Sequence, residues 1–345
     1  MKIFLRIAAV LLALAAPAQA GDAPKPAREI TDMAGHKLRV PDKITKVFSA
    51  SYPLTTLMYV IAPDLLSAVN VPITDKQKPY FAPRLAELPA AGGTPGQNRA
   101  ANPEEILALQ PDVIVAWTDP MGGHPPAEQS WAQTGLPVIY MNVSRIDDYP
   151  AALDFLGDLL DRRARTDELK TYVVAALERV KTAVARVPPE QRAKLLYAES
   201  PDGLATECDS SFHMEAFRLA GGDSIYHCAQ ATHMGMEKIS LEEIIARQPT
   251  LIVALDPKFK DFSAQAPEWR NVKAIAQGRV YTVPKLPFNW LDRPPSFMRV
   301  LGAQWLANIF YPQALPLDIK AETKTFYKLF FGVQLTDADV AQLLR

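Results

Sequence analysis

The chain has 345 residues, 37 Lys and Arg against 38 Asp and Glu, and 48% hydrophobic residues. That is enough apolar material for one large core or two medium ones, and a net charge of −1 offers neither a basic stripe for nucleic-acid backbones nor an acidic tail. Two cysteines exclude a small disulfide framework, and 30 prolines against 16 glycines point to many short, stiff connections.

Lys2 and Arg6 precede an apolar run over 7–16, and Ala18-Gln19-Ala20 places small residues ahead of Gly21. This pattern predicts a cleavable export signal over residues 1–20. The run is too short to span a bilayer, and Gly21 offers no thiol for a lipid anchor. A freely diffusing periplasmic protein is expected.

In the first lobe, 44–48 reads as a strand feeding a helix over 53–61, and Val138 to Met141 as a further strand. Between them, residues 102–117 read NPEEILALQPDVIVAW, and residues 240–255 repeat the pattern as SLEEIIARQPTLIVAL, with nine identities in 16 positions. Each copy follows one physical grammar. Asn102 or Ser240 caps a helix, an acidic pair sits in its first turn, Pro111 or Pro249 stops it, and a short apolar run forms a buried strand. A duplicated αβ unit predicts an α/β fold of two lobes.

From Ala152 to Val187 apolar residues recur at threes and fours, so this stretch is one long interlobe helix of about 50 Å or two helices in sequence, the second starting near Thr166. The second lobe opens with a strand over 194–198, a loop over 199–209 and a helix from about Ser211 to Ala220. A strand over 279–283 and a mostly helical tail from Ser296 complete it. The expected division is 21–147 for the N-terminal lobe, 148–190 for the interlobe segment and 191–345 for the C-terminal lobe with its tail.

In open α/β sheets ligands sit beyond the carboxyl ends of the strands. Tyr52, Trp117 and Trp290 offer apolar faces there, and Gln97, Asn289 and Arg293 offer directed polar contacts. Arg293 is the natural fork for an anionic ligand. Cys208 and Cys228, 20 positions apart in an exported chain, are expected to pair.

The lobe, helix and lobe order, the N-x-E-x-I-L-A-L-x-P-D segment at 102–112 and the closing Gly278-Arg279-Val280-Tyr281 resemble substrate-binding proteins of ABC importers, in the iron-siderophore and cobalamin class. The resemblance implies two Rossmann-like lobes joined by a rather rigid interlobe helix, a ligand cleft between them and a monomer working with an inner-membrane permease. In that family a carboxylate at each lobe tip docks on the permease, which falls on Glu104 and Glu242 here. The cargo it implies is a metal chelate, a ferric siderophore first, with nickel, cobalt or molybdenum species as alternatives. The run 289–296 is similar to variants that carry non-siderophore metals.

Two rival readings come from the residues themselves. Cys208, His213, His227, Cys228 and His233 lie within 26 residues, with Glu207, Asp209 and Glu215 nearby, so His213 and its neighbours could coordinate nickel or zinc directly. His124 could close on a ligand from the first lobe, while His36 is expected at the surface. Cys208 with His213 could also be read as an enzyme's nucleophile and base, but the spacing fits no catalytic pattern, and no nucleophile elbow, zinc-protease helix or phosphate loop is present.

Overall fold

The structure is a computed structural model and describes residues 26–93, 100–118, 125–229 and 235–345. The chain enters through an antiparallel hairpin, β1 (Ala27–Thr31) and β2 (Lys37–Pro41), that the sequence reading did not anticipate. The first lobe follows as β3 (Val47–Ser49), α1 (Tyr52–Ile61), α2 (Pro83–Glu87), α3 (Pro103–Ala108), β4 (Val113–Trp117), α4 (Pro125–Ala132) and β5 (Val138–Met141). Strands β3, β4 and β5 form a parallel sheet in that order.

Two helices connect the lobes, α5 (Tyr149–Leu160) and α6 (Arg163–Val184). The continuous-helix alternative is therefore corrected to a helical hairpin. Asp161 adopts a left-handed φ of 55° and Arg162 N returns to Gly157 O at 2.8 Å, which turns the chain. Asp154 then receives both Arg163 and Lys170 from the returning helix. Gly157 makes the close crossing possible, because a Cβ there would fall on the Thr166 side chain. At 22 residues α6 is about 33 Å long.

The second lobe comprises β6 (Lys194–Ala198), β7 (Ala205–Thr206), α7 (Glu215–Leu219), β8 (Asp223–Ser224), β9 (Glu237–Lys238), α8 (Leu241–Arg247), β10 (Leu251–Ala254), α9 (Lys258–Gln265), α10 (Lys273–Ala276) and β11 (Val280–Thr282). Its parallel sheet has the order β11-β10-β6-β8, and β7 pairs with β9 in a small antiparallel ribbon. The tail is α11 (Arg299–Phe310), α12 (Ile319–Phe331) and α13 (Asp337–Leu343).

The period of two in each buried strand explains the layering. In β4, Val113 and Val115 face the inner core while Ile114 and Ala116 face an outer one with Phe48 and Trp131. In β10, Leu251 and Val253 face inward and Ile252 and Ala254 join Phe259 and Trp269 outside. The inner faces of both sheets meet α1, α5, α6, α11 and α12 in one continuous core. Two Rossmann-like lobes are thus fused through a shared helical layer.

The loop before α11 and the tail helix α12 close the seam between them with aromatic rings. Phe288 stacks on Tyr59 at 5.8 Å and lies 5.4 Å from Phe81, while Phe297 stacks on Phe330 at 5.1 Å. Tyr80 of the first lobe meets Tyr327 of α12 at 5.5 Å. These contacts add to area burial, at about 0.5–1.5 kcal/mol per ring pair.

Candidate ligand-binding cleft

Parallel strands gather their outgoing loops at one edge, so the segments after β3, β4, β6 and β11 define the carboxyl edges of the two sheets. Unsatisfied polar atoms concentrate there. Among the described residues ten buried side-chain nitrogens or oxygens lack a hydrogen-bond partner. In the first lobe they include Ser51 Oγ, Asn70 Oδ1 and Thr118 Oγ1. In the second they include Tyr197 Oη, Glu199 Oε2, Thr206 Oγ1, Glu207 Oε2 and Asp292 Oδ2. Each such atom costs about 1–3 kcal/mol, so eight of them at these edges mark a surface built for something other than stability.

The second-lobe edge is a buried charge cluster. Glu199 directly follows β6, Glu207 follows β7, and Asp292 and Arg293 lie in the loop between β11 and α11. Arg293 donates from Nε to Glu199 and from Nη2 to Glu207, with Asp292 Oδ2 3.5 Å from its Nε. His213 Nδ1 lies 2.7 Å from Asp292 Oδ1. Burial pushes the Glu199 carboxyl up to about 8, more than the opposing attraction of Arg293 can offset. The Tyr197 hydroxyl is raised well above its ordinary range by burial and by the carboxylates of Asp292 and Glu199. Three carboxyl groups thus face one guanidinium and one imidazole.

The first-lobe edge is aromatic and hydroxyl-rich. Tyr52 starts α1 and lies edge-on to Phe288 at 5.8 Å. Burial moves its hydroxyl up to about 12, against a hydrogen bond with Gln77. Gln77 Nε2 in turn donates to Pro287 O of the other lobe at 2.8 Å. Trp117, at the end of β4, donates from Nε1 to Ser144 Oγ at 3.1 Å. Next to this seam an open cavity of about 530 Å³ lies between Lys76 and Tyr80 of the first lobe and Pro257, Val283 and Lys285 of the second.

A buried clamp joins the two edges. Arg299, only 2% exposed, donates to Ser144 O and Val143 O at 3.1 Å each and to Glu215 Oε2 at 2.8 Å. Glu215 Oε1 accepts from Ile146 N at 2.9 Å. Trp117, Ser144, Arg299 and Glu215 are therefore linked in one hydrogen-bonded chain between the two edges.

Several sequence-based expectations need correction. Trp290 is 0% exposed, packed against Trp305 and Tyr327, with Gly302 of α11 against its backbone, so it is a core residue and not a ligand platform. Asn289 is buried and its Oδ1 accepts from Leu291 N and Asp292 N, so it shapes the loop. Arg293 is not an open anion fork, since carboxylates occupy it. Cys208 and Cys228 form the expected disulfide with their Cα atoms 4.8 Å apart, which removes both sulfurs from metal coordination. His227 is exposed and paired with Asp209, and among the described residues no group of three His, Cys, Asp or Glu is placed to hold a metal ion. His36 is exposed, as expected, and paired with Asp32. Gln97, His124 and His233 lie outside the described residues.

Glu199, Tyr197, Asp292 and Arg299 were not singled out from the sequence. An acidic residue directly after a wholly apolar strand, as in Ala198-Glu199, was the available signal.

Glu104 and Glu242 occupy equivalent places in the repeated unit, both exposed in the first turn of a helix. Asn102 Oδ1 accepts from Glu104 N at 2.9 Å and Ser240 Oγ from Glu243 N at 3.1 Å, so both caps form as expected. A helix that precedes a parallel strand starts at the carboxyl edge of the sheet. Both glutamates therefore stand on the cleft side of their lobes.

The family model for periplasmic binding proteins matches residues 67–286, more than half of the chain. The chain belongs to the periplasmic binding protein family. A solved ABC transporter solute binding protein from Sulfurospirillum deleyianum is similar to this binding protein at 37% identity and a TM-score of 0.87, covering 92% of this chain and 98% of that one. The molybdate-binding protein MolA of Haemophilus influenzae is 23% identical over 88% of this chain and 91% of its own length, and its molybdate-bound structure superposes with a TM-score of 0.69 over 90% and 99% of the two chains at 19% identity. A vitamin B12-binding protein of Vibrio campbellii is 26% identical over 58% of this chain and 68% of that protein. These relatives are solute-binding proteins of ABC importers and not enzymes, and the same holds for this periplasmic binding protein. Among the described residues no helix is long and apolar enough to cross a membrane.

Proposed function

We propose that this periplasmic binding protein captures a metal chelate, a ferric one first, in the cleft between its lobes and passes it to the permease through Glu104 and Glu242. The observation that carries the reading is the buried carboxyl cluster, in which Glu207 and Asp292 face the single guanidinium of Arg293 while Glu199, raised to about 8, adds a carboxyl that holds its proton at neutral pH. Such a face favours a cargo whose metal centre brings positive field and disfavours a bare dianion. Trp117 and Tyr52 supply apolar contact from the first lobe, and His213, its ring oriented by Asp292, meets the cargo from the second.

A second reading, a molybdate or tungstate oxyanion, is supported by the near full-length match to MolA. It requires Arg293 to leave Glu199 and Glu207. Isothermal titration of the purified protein with ferric chelates, cobalamin and molybdate separates the two. Tight binding of a chelate with none of molybdate supports the first, and the reverse result replaces it with the second.

The expected export signal over 1–20 lies outside the described residues; a mature N-terminus at Gly21 on protein recovered from the periplasm is the outcome we propose.

A further inference from the structure

The carboxyl edge of the first-lobe sheet carries a helix start at which, among the described residues, the cap hydroxyl of Ser51 and the N–H of Leu54 find no partner. Helix α1 runs ten residues with no acidic side chain in its first turn. Ser51 stands at its N-cap in extended conformation, yet its hydroxyl makes no cap bond; the residue is 0% exposed and its Oγ has no partner. At α3 and α8 the same chain satisfies the equivalent position with Asn102 and Ser240.

Pro53 has no N–H to satisfy, and Thr55 N returns to Ser51 O at 2.9 Å. Leu54 N–H finds no acceptor among the described residues. Residues 53–61 are all buried, so water does not screen the positive end of this helix. On the neighbouring strand, Thr118 follows β4 with its own Oγ1 buried and unpartnered. A buried helix start with open donors favours a negative group, because its N–H groups and its dipole favour the same charge.

We propose that the N-terminus of α1, with Ser51 Oγ and Leu54 N–H as donors, is an oxyanion subsite of the cleft that receives a carboxylate or other oxyanion group of the cargo. This rests on the metal-chelate reading and deepens it. The first lobe donates hydrogen bonds where the second lobe presents carboxyl groups, so a chelate is oriented with its anionic arm toward α1 and its positive field toward Glu207 and Asp292. A free tetrahedral oxyanion shares the chemistry of the carboxylate arm, and the probes separate the two sources.

The test is calorimetric titration of the wild-type protein, Ser51→Ala and Ser51→Asp with ferric citrate, inorganic molybdate and a cationic ferric trihydroxamate lacking a carboxylate. The Ala variant should weaken an oxyanion probe about tenfold, the scale of one hydrogen bond to a charged group. The Asp variant should cap α1 with its own carboxylate, raise the thermal midpoint and abolish oxyanion binding, while leaving the trihydroxamate bound as in the wild type. Oxyanion affinity unchanged in both variants overturns the subsite. Binding of the trihydroxamate with neither oxyanion probe overturns the subsite and keeps the chelate reading, whereas Ser51-dependent binding of molybdate alone keeps the subsite and removes the chelate reading. A wild-type protein that binds none of the three overturns both.

Discussion

Arg299 Nη2 in the tail helix donates to the Tyr149 hydroxyl of the interlobe hairpin at 3.2 Å, and its guanidinium carbon lies 5.6 Å from the centroid of that ring. The same guanidinium holds Glu215 and two backbone carbonyls beyond β5, so one buried cation ties the second lobe, the tail and the first lobe together. A cleft held in this way is expected to change little between its empty and its loaded state.

Replacing Arg299 by Leu leaves Glu215 buried without its cation and strands two carbonyls. The expected cost is about 3–5 kcal/mol of unfolding free energy, measured by urea denaturation. Glu215→Gln, which can still accept from Ile146 N, should cost less. A loss below about 1 kcal/mol for Arg299→Leu would show that the clamp does not hold the lobes.

Trp290 and Trp117 separate core from cleft. Trp290→Ala should destabilise the fold by about 3–5 kcal/mol through the cavity it leaves under Trp305 and Tyr327. Trp117→Ala should instead weaken cargo binding with a smaller effect on the denaturation midpoint. Selective loss of cargo affinity in a well-folded Trp290 variant would reverse the assignment.

Glu199 makes stability depend on pH. Its carboxyl ordinarily titrates near 4.5 and is pushed up to about 8 in the folded chain, so between these values the folded state holds a proton that the unfolded state has lost. Its contribution is greatest below pH 4.5 and declines as pH rises through about 8. Compared with the wild type, Glu199→Gln should show a flatter stability curve from pH 5 to 8. Parallel curves for the two proteins across that window count against a buried, raised carboxyl.

Reduction of the disulfide opens a loop 20 positions long and should cost about 3 kcal/mol. A Cys208→Ser and Cys228→Ser double variant should show this loss in denaturation and retain its cargo, since neither sulfur serves as a ligand. Loss of metal-dependent binding at unchanged stability would revive direct coordination.

Much of the fold was written in local pattern. The strands over 138–141 and 194–198 end where their apolar runs end, and Asn102 and Ser240 cap the helices that their spacing implied. What escaped were features decided at long range. Asp161 breaks the interlobe helix in a left-handed turn without the glycine that usually announces one. Trp290 looked like a loop aromatic because its burial depends on α11 and α12, which arrive later in the chain. Arg293 read as an anion fork because Glu199 and Glu207, 94 and 86 positions away, are brought to it only by the sheet.

The lobe-tip glutamates give the account its link to transport. Single charge reversal at Glu104 or Glu242 should reduce uptake, and the double variant should lower it about tenfold or more, the scale expected when charge-assisted contacts are inverted. Cargo affinity in solution should stay unchanged. Uptake at the wild-type rate in the double variant removes the docking role.

Native mass spectrometry with metal analysis, on protein challenged with ferric chelates and molybdate and on protein recovered from its own periplasm, tests the central claim most directly. The account predicts a one-to-one complex whose added mass contains both a metal and its organic chelator. A complex with bare molybdate, or with a metal-free solute, would contradict it.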